Sequence, residues 1–149
     1  MKNIESLKNY LGNVTEEEFM MLATKIYMIT NFICDDYPKY KEWYFTKQLP
    51  AIINGDERNI LFVRNPKDDN EIISMACLKK NEKERKICTL YVSDKYRGLG
   101  LGTAIVEESM RWLGTTKPLI TLADYKLKMF RPIINKYSWE LTEIVSGLY

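Results

Sequence analysis

Gly98, Gly100 and Gly102 lie within five residues of one another, and this short loop constrains the fold more than any other feature of the sequence. A run of apolar, strand-forming residues precedes it and a helical pattern begins at Thr103, so the loop joins a strand to a helix. Glycine adopts positive φ and keeps side chains away from a ligand. The main-chain N–H groups of the loop and of the first helical turn therefore suit an anion, and a diphosphate fits them.

Two common nucleotide-binding loops do not fit this spacing. A P-loop requires Lys after its last glycine, whereas Thr103 follows Gly102. The dinucleotide fingerprint requires two residues between its second and third glycine, whereas only Leu101 separates Gly100 from Gly102. A tight turn that lets a helix pack closely on a strand is the remaining alternative to an anion site.

The apolar pattern ahead of the loop predicts two helices and then three strands. Thr15 and Glu18 form a capping-box motif, and the helix that they begin is predicted to run to about Asp35. A second helix is predicted over Lys41–Ile53, with Pro50 as a kink or break. Short polar turns separate the three strand-forming runs, which predicts an antiparallel meander. These runs are Asn59–Arg64, Glu71–Leu78 and Lys86–Val92.

The chain after the loop alternates between helix and strand. The predicted elements are a helix over Thr103–Leu113 that Gly114 ends, a buried strand over Pro118–Ala123, a helix over Lys126–Asn135 and a last strand over Trp139–Val145. No internal repeat and no linker divides the sequence, so we expect a single domain.

Composition excludes several classes of protein. The 149 residues are 46% apolar, which is enough for one core, and 22 basic against 20 acidic side chains argue against a dedicated nucleic-acid or membrane-surface binder. No histidine is present, which excludes Ser-His-Asp and Cys-His catalysis and the commonest metal ligand. Three widely spaced cysteines, with neither a signal peptide nor a long apolar run, predict a soluble cytoplasmic protein with free thiols.

The segment Leu90–Gly102 resembles the signature of the GNAT superfamily of N-acetyltransferases, whose loop reads Arg/Gln-x-x-Gly-x-Gly/Ala. Arg97, Gly100 and Gly102 occupy the three defining positions. The order of the predicted elements also resembles that fold over most of the chain. The resemblance implies an α+β (mixed α/β) fold, a single GNAT-like domain over residues 1–149. Its central, mostly antiparallel sheet would be splayed at the acyl-CoA loop and flanked by helices.

The same resemblance implies acetyl-CoA as co-substrate and no metal. The strand Lys86–Val92 would separate from the strand Leu119–Ala123 and expose backbone groups to the pantetheine, as in strand addition. Phe130 would pack against the pantetheine or simply fill the core. The implied cofactor-binding residues are Leu90, Tyr91, Val92, Arg97, Gly98, Leu99, Gly100, Leu101, Gly102, Thr103 and Phe130.

Glu84 and Tyr137 are the candidates for the catalytic base and acid. Some family members place a catalytic glutamate near the start of this strand, and regular alternation would put Glu84, Cys88, Leu90 and Val92 on one face. The alternative is a solvated charge. The family's usual acid, a tyrosine in a Tyr-x-x-x-Gly-Phe pattern, is missing, because Ile134 stands at its position. Tyr137 or Tyr125 would substitute, or the acid is solvent, and each tyrosine also suits a packed aromatic.

The acceptor site in this fold usually involves the connection between the first two helices. Asp35, Asp36, Tyr37 and Tyr40 lie there and suit a cationic amine through charge and cation–π contacts, although such residues are also common in ordinary loops. The function expected is direct transfer of an acetyl group from acetyl-CoA to a primary amine of a small molecule or a protein.

Two other functions stay open at this point. One is a non-catalytic CoA-binding sensor or docking module, which the missing family tyrosine favours. The other is modification of aminoacyl-tRNA, which the near-neutral charge disfavours. Family members often dimerise, so a homodimer is also an expectation.

Overall fold

In the part of the chain that the structure describes, a central sheet has five strands in the order β1-β2-β3-β4-β5. The structure is a computed structural model, and it describes residues 3–35, 37–96, 98–120 and 127–140. Neighbouring strands are antiparallel except β4 and β5, which run parallel, so the predicted meander and the mostly antiparallel sheet are confirmed. The strands are Ile4–Ser6 (β1), Arg58–Asn65 (β2), Asp68–Lys80 (β3), Arg85–Val92 (β4) and Leu119–Ile120 (β5).

The first helix, α1, spans Glu16–Met28 and begins as predicted. Thr15 accepts a hydrogen bond from the Glu18 N–H at 3.1 Å, and the Glu18 carboxylate accepts one from the Thr15 N–H at 3.1 Å, which completes the capping box. The predicted end near Asp35 is wrong, because a separate 3-10 turn covers Asn31–Asp35. Thr30 explains the early end, since its hydroxyl donates to the Tyr27 carbonyl at 2.9 Å and competes with continued helical bonding.

The second predicted helix contains three segments in the structure. They are α2 over Tyr40–Trp43, a π-helical segment over Tyr44–Gln48 and α3 over Leu49–Asn54. Pro50 has no N–H to continue the α-helical ladder, and the chain widens into π geometry directly before it. The predicted break at Pro50 is therefore a change of helical pitch in a chain that stays helical.

After the glycine loop the helices lie close to their predicted positions. Helix α4 spans Leu101–Leu113 and begins two residues before its predicted start, and Gly114 ends it with a φ of 74° as predicted. Helix α5 spans Leu127–Lys136. The predicted last strand falls mostly on residues 141–145, which lie outside the described part of the chain.

Helices cover both faces of the sheet. Along β2, Ile60 and Phe62 pack into a cluster with residues of α1 and α3, whereas Leu61 packs with residues of α4 and α5. This period of two is expected of a strand that is buried on both faces. None of the described helices has the length and hydropathy needed to cross a bilayer.

Candidate active site

The glycine loop lies between the end of β4 and the start of α4. Gly98 and Gly100 have φ values of +82° and +79°, the left-handed region that glycine adopts without strain. The Ala104 N–H donates to the Gly100 carbonyl at 3.0 Å and makes the first helical bond. The N–H groups of Leu101, Gly102 and Thr103 therefore precede that bond and have no acceptor within the helix. They point out of the positive end of a 13-residue helix, where an anion is stabilised.

The described residues leave this loop open. A Cβ placed on Gly98 would meet no atom within 4 Å, and Leu99 is 61% exposed. Gly102 has a different role, since a Cβ there would lie 3.7 Å from Cγ2 of Val92. The sequence pattern did not separate these roles: Gly98 and Gly100 shape the loop, whereas Gly102 lies where α4 packs on β4.

Residues beneath and beside the loop hold it in place. Leu101 and Val92 belong to an apolar cluster with Val63 of β2, which supports the start of α4. The Tyr96 hydroxyl donates to Oε1 of Glu71 at 3.0 Å, and it also accepts from an Asn65 amide at 2.9 Å. The pKa of Tyr96 is raised, first of all by its hydrogen bond to Glu71. The sequence analysis missed Tyr96, because its partners lie 25 and 31 residues away in the chain.

A β-bulge interrupts β4 at Cys88. Cys77 of β3 pairs with Thr89 and Leu78 pairs with Ile87, so Cys88 is an extra residue in the ladder. The predicted common face for Cys88 and Leu90 is therefore wrong. Leu90 packs toward α4 and α5, whereas Cys88 packs against the cluster on the α1 side. An inserted residue reverses the alternation from that point on.

The pairing of β4 with β5 stops, among the described residues, where this bulge begins. Lys86 pairs with Leu119 and Ile87 pairs with Ile120, and Cys88 is the next residue of β4. The predicted separation of the two strands beyond Ile120 falls on residues 121–123, outside the described ranges.

Comparison with known proteins decides the family. The acetyltransferase (GNAT) family model matches residues 23–122, which include the meander, the glycine loop and α4. The chain belongs to the GNAT acetyltransferase family. No curated protein is significantly similar in sequence.

Solved structures share the GNAT fold. YycN of Bacillus subtilis, described as an acetyltransferase, is 15% identical with a TM-score of 0.59 over 99% of this chain and 98% of its own. A predicted acetyltransferase of Clostridium acetobutylicum, solved with acetyl-CoA, is 14% identical with a TM-score of 0.55 over 100% and 96%. A ribosomal-protein-alanine N-acetyltransferase of Brucella melitensis is 11% identical with a TM-score of 0.53 over 100% and 98%. The TM-scores show the shared fold, and at such low identities they show nothing about the substrate.

The residues predicted to contact the cofactor fall into two groups in this GNAT domain. Leu90, Tyr91 and Val92 form the end of β4 and lead into the loop. Phe130 of α5 lies in the core beneath α4 and is 5% exposed. Arg97, the basic position of the signature, lies outside the described residues.

Glu84 lies in the turn between β3 and β4. Its carboxylate forms an ion pair with Nζ of Lys79 at 2.9 Å, and its N–H donates to the Asn81 side chain at 2.9 Å. The hydrogen bond from Lys79 holds the pKa of Glu84 below its ordinary value. Glu84 is therefore ionised at neutral pH and can accept a proton, but the ion pair makes it a weaker base than an unpaired carboxylate.

Tyr137 follows the end of α5, and its hydroxyl donates to Oε2 of Glu107 on α4. Lys136 donates to the same oxygen at 2.9 Å. The hydrogen bond to Glu107 raises the pKa of Tyr137, which makes the phenol a weaker acid. Ile134, at the family's tyrosine position, packs against the core, and Tyr125 lies outside the described ranges.

The predicted acceptor residues do not share one environment. Asp35 is exposed, and Tyr37 is half-buried with its N–H donating to the Ile33 carbonyl at 2.7 Å. Tyr40 is only 5% exposed, and its hydroxyl bonds the Thr30 hydroxyl at 2.8 Å. Burial raises the pKa of Tyr40. Tyr40 therefore has a core role, and its position does not support the predicted contact with the acceptor. Asp36 lies outside the described residues.

Phe32 is an exposed residue beside this site that the sequence analysis missed. It lies in the turn after α1, is 44% exposed, and its ring centroid is 5.5 Å from that of Tyr91 on β4. The turn therefore reaches the strand through an aromatic contact. Helical periodicity placed Phe32 inside α1, and only the early end of that helix brings its ring to β4.

A separate cleft of about 610 Å³ lies between the N-terminal segment and α4. Its charged groups already have partners: Glu5 pairs with Arg64 at 2.9 Å, and Glu108 pairs with Arg111 at 2.6 Å. It lies away from the glycine loop, so it has no part in the site described here. In the described ranges, no cluster of three Cys, Asp or Glu side chains could hold a metal ion.

Proposed function

We propose that this GNAT protein is an N-acetyltransferase that uses acetyl-CoA as donor and transfers the acetyl group directly to a primary amine. The observation that carries the proposal is the pair of left-handed glycines, Gly98 and Gly100, which leave the N–H groups at the start of α4 open at the end of β4. An open row of N–H groups at a helix N-terminus suits a diphosphate. The amine is carried by a small molecule or by a protein.

The donor is held mainly by main-chain groups in this proposal. N–H groups from Gly98 to Thr103, with Arg97, bind the pyrophosphate. Main-chain groups of Leu90, Tyr91 and Val92 bind the pantetheine, which adds to β4 as an extra strand would. Phe130 lies beneath α4 and supports this wall of the site from the core.

The reaction is aminolysis of a thioester. The nitrogen of the neutral amine attacks the carbonyl carbon, a C–N bond forms and the C–S bond breaks. The nitrogen gives up one proton to become the amide, and coenzyme A leaves as a thiolate that takes up one proton. An alkylammonium has a pKa of about 10.4, so the amine must first lose a proton, to a base or through water. Holding the two substrates at attack distance supplies much of the remaining acceleration.

We assign the base to Glu84 and the acid to Tyr137 as working hypotheses. Glu84 is an ionised carboxylate on the β3–β4 turn, and a proton passed through water would reach it. Tyr137 keeps its proton at neutral pH and has one to give. Asp35, Asp36 and Tyr37 would attract the ammonium form of the acceptor, and Phe32 would extend that surface toward β4.

A non-catalytic CoA-binding module is the second candidate function. It is favoured by the engagement of both catalytic candidates, since Glu84 is paired with Lys79 and Tyr137 with Glu107. A sensor of this kind would bind CoA and acetyl-CoA without turnover.

Thiol release from acetyl-CoA, measured over a panel of primary amines, separates the two functions. Amine-dependent release with a matching acetylated amine in the mass spectrum supports the enzyme. Binding of CoA by calorimetry without any release supports the sensor. Gly100→Trp would fill the loop and Gly102→Trp would press on Val92 where α4 packs on β4, and CoA affinity unchanged by both would contradict the assignment of the site.

A further inference from the structure

Three cations lie side by side across the sheet at the start of β4. Arg58 of β2 pairs directly with Lys79 of β3, and Lys79 pairs directly with Lys86 of β4. Directly opposed residues share a face and lie about 5 Å apart, and like charges in such positions are destabilising. We call Arg58, Lys79 and Lys86 the cationic row.

The protein neutralises this row only in part. Lys79 pairs with Glu84 at 2.9 Å. Arg58 donates to the neutral amide oxygen of Gln48 at 2.8 Å and lies 5.6 Å from the centre of the Trp43 ring. The Lys86 side chain forms no ion pair within 4 Å and no hydrogen bond with a described residue, and its charge acts on Glu84 only at longer range. Three positive charges therefore face one carboxylate, and all three residues are half-buried and lie outside the core.

The row lies beside the point where β4 bulges. Lys86 pairs with β5, and Cys88, two residues on, is the bulge residue. Cys88 belongs to the cluster on the α1 side of the sheet, the face that also carries Trp43 and Tyr91. At a rise of about 3.3 Å per residue, Lys86 lies roughly 7 Å from Cys88 along the strand.

The pyrophosphate of the donor does not explain the row. It is assigned to the glycine loop, which follows the far end of β4 at Val92. Val92 is six residue steps along β4 from Lys86, which is about 20 Å. In the proposed function the pantetheine would lie along β4 from Val92 toward Cys88, so the thioester end of the donor, and not its phosphates, would approach the row.

We propose that the cationic row binds an acidic group, a carboxylate or a phosphate, on the amine acceptor. The inference rests on the proposed function, since it places the acceptor next to the thioester. Arg58 supplies a planar fork for two oxygens, and Lys86 supplies an unpaired ammonium. The acceptor class is then a primary amine with an anionic group, and neutral or purely cationic amines are poor substrates.

Matched acceptors test this class directly. β-Alanine is compared with β-alaninamide, and O-phosphoethanolamine with ethanolamine, as acceptors for acetyl-CoA. We expect the anionic member of at least one pair to have the higher kcat/KM. Lys86→Met should lower that preference about tenfold, the factor expected for one charge-assisted hydrogen bond. Lys86→Arg should restore the preference, and Lys83→Met, at an exposed lysine in the turn that precedes β4, should leave it unchanged.

A binding experiment that needs no turnover separates this inference from the proposed function. Labelled protein is titrated with succinate and with inorganic phosphate, first alone and then saturated with CoA, and amide and indole NMR signals are followed. We expect shifts at Arg58, Lys86 and the Trp43 indole that persist with CoA and are lost in Lys86→Met.

The outcomes assign failure to one idea or the other. If the protein binds CoA without NMR shifts at the cationic row, or uses both members of both acceptor pairs equally, the row does not bind the acceptor. The proposed acetyltransferase function would be unaffected by that result. Shifts at the row in a protein that does not bind CoA support an anion site and overturn the proposed function. A Lys86→Met variant that loses CoA affinity would mean that the row binds the donor, which also overturns the inference.

Discussion

The Tyr137 hydroxyl donates a hydrogen bond to the Glu107 carboxylate, which fastens the end of α5 to the helix that begins at the glycine loop. The same contact raises the pKa of Tyr137 and lowers that of Glu107, each chiefly through this hydrogen bond. Tyr137 therefore has two candidate roles, as a structural contact between the two helices and as the catalytic acid, and substitutions can separate them.

We expect Tyr137→Phe to lower kcat with little change in CoA affinity, because the variant lacks the proton that the departing thiolate needs. Glu107→Gln keeps the phenol but removes the charge that raises its pKa, so kcat should be maintained. Tyr137→Phe removes the hydrogen bond between α4 and α5, and Glu107→Gln weakens it by removing the charge on the acceptor, so both variants should melt at lower temperature. Equal kcat in wild type and Tyr137→Phe, with a lower melting temperature, would leave Tyr137 a purely structural residue.

Gly98 and Gly12 provide a matched test of the glycine loop. Their φ values are +82° and +81°, and a Cβ on either would meet no atom within 4 Å. Alanine at each position should therefore cost a similar amount of stability, about 1 kcal/mol, through the same backbone strain. Only Gly98→Ala should also weaken CoA binding, by about tenfold in calorimetry, because it disturbs N–H groups at the start of α4.

Similar CoA affinities for Gly98→Ala and Gly12→Ala would contradict the proposal that the glycine loop binds CoA. Thermal melting of both variants checks that the stability losses match.

Local signals explain the parts of the fold that the sequence predicted. Thr15 caps α1 and Gly114 ends α4, because each acts on a chain segment of a few residues. Strand β1, Ile4–Ser6, was missed because three residues carry no recognisable period, and its partner strand β2 lies more than fifty residues away. The bulge at Cys88 was missed because register depends on the facing strand.

The conformation of the glycine loop was predicted because it depends on the local backbone, whereas the contacts of the other candidate residues were missed because they are long-range. Positive φ at Gly98 and Gly100 follows from residue type. The pairing of Glu84 with Lys79 and the burial of Tyr40 follow from tertiary packing, which no motif in the sequence encodes.

Glu84→Gln tests the proposed base. We expect a lower kcat/KM, with the largest decrease on the acid side of the profile, where more of the acceptor is protonated and needs a base. Glu82→Gln, in the same turn, is the control. A profile for Glu84→Gln that matches wild type at every pH would reject the role.

The ion pair between Lys79 and Glu84 also predicts how the stability of the protein changes with pH. Lys79 lowers the folded-state pKa of Glu84, so its contribution is fully present above the unfolded carboxyl value of about 4.3 and is lost as pH falls through the lower folded value. Lys79→Met removes that contribution. The difference in melting temperature between Lys79→Met and wild type should therefore shrink toward low pH. A difference in melting temperature that grows below pH 4 would contradict this predicted pH dependence.

Phe32 tests whether the turn after α1 contacts the acceptor. Its ring is 44% exposed and touches Tyr91, so Phe32→Ala removes surface beside β4 without opening the core. We expect a several-fold higher KM for the acceptor, an unchanged affinity for CoA and a melting temperature close to wild type, because Phe32 belongs to none of the apolar core clusters of the described residues. Met21→Ala is the matched control, since Met21 is also an exposed apolar residue, 66% exposed, but lies within α1 and not in the turn after it. If both variants leave the acceptor KM unchanged, the acceptor binds away from this turn; if Phe32→Ala instead weakens CoA binding, the ring belongs to the donor side of β4.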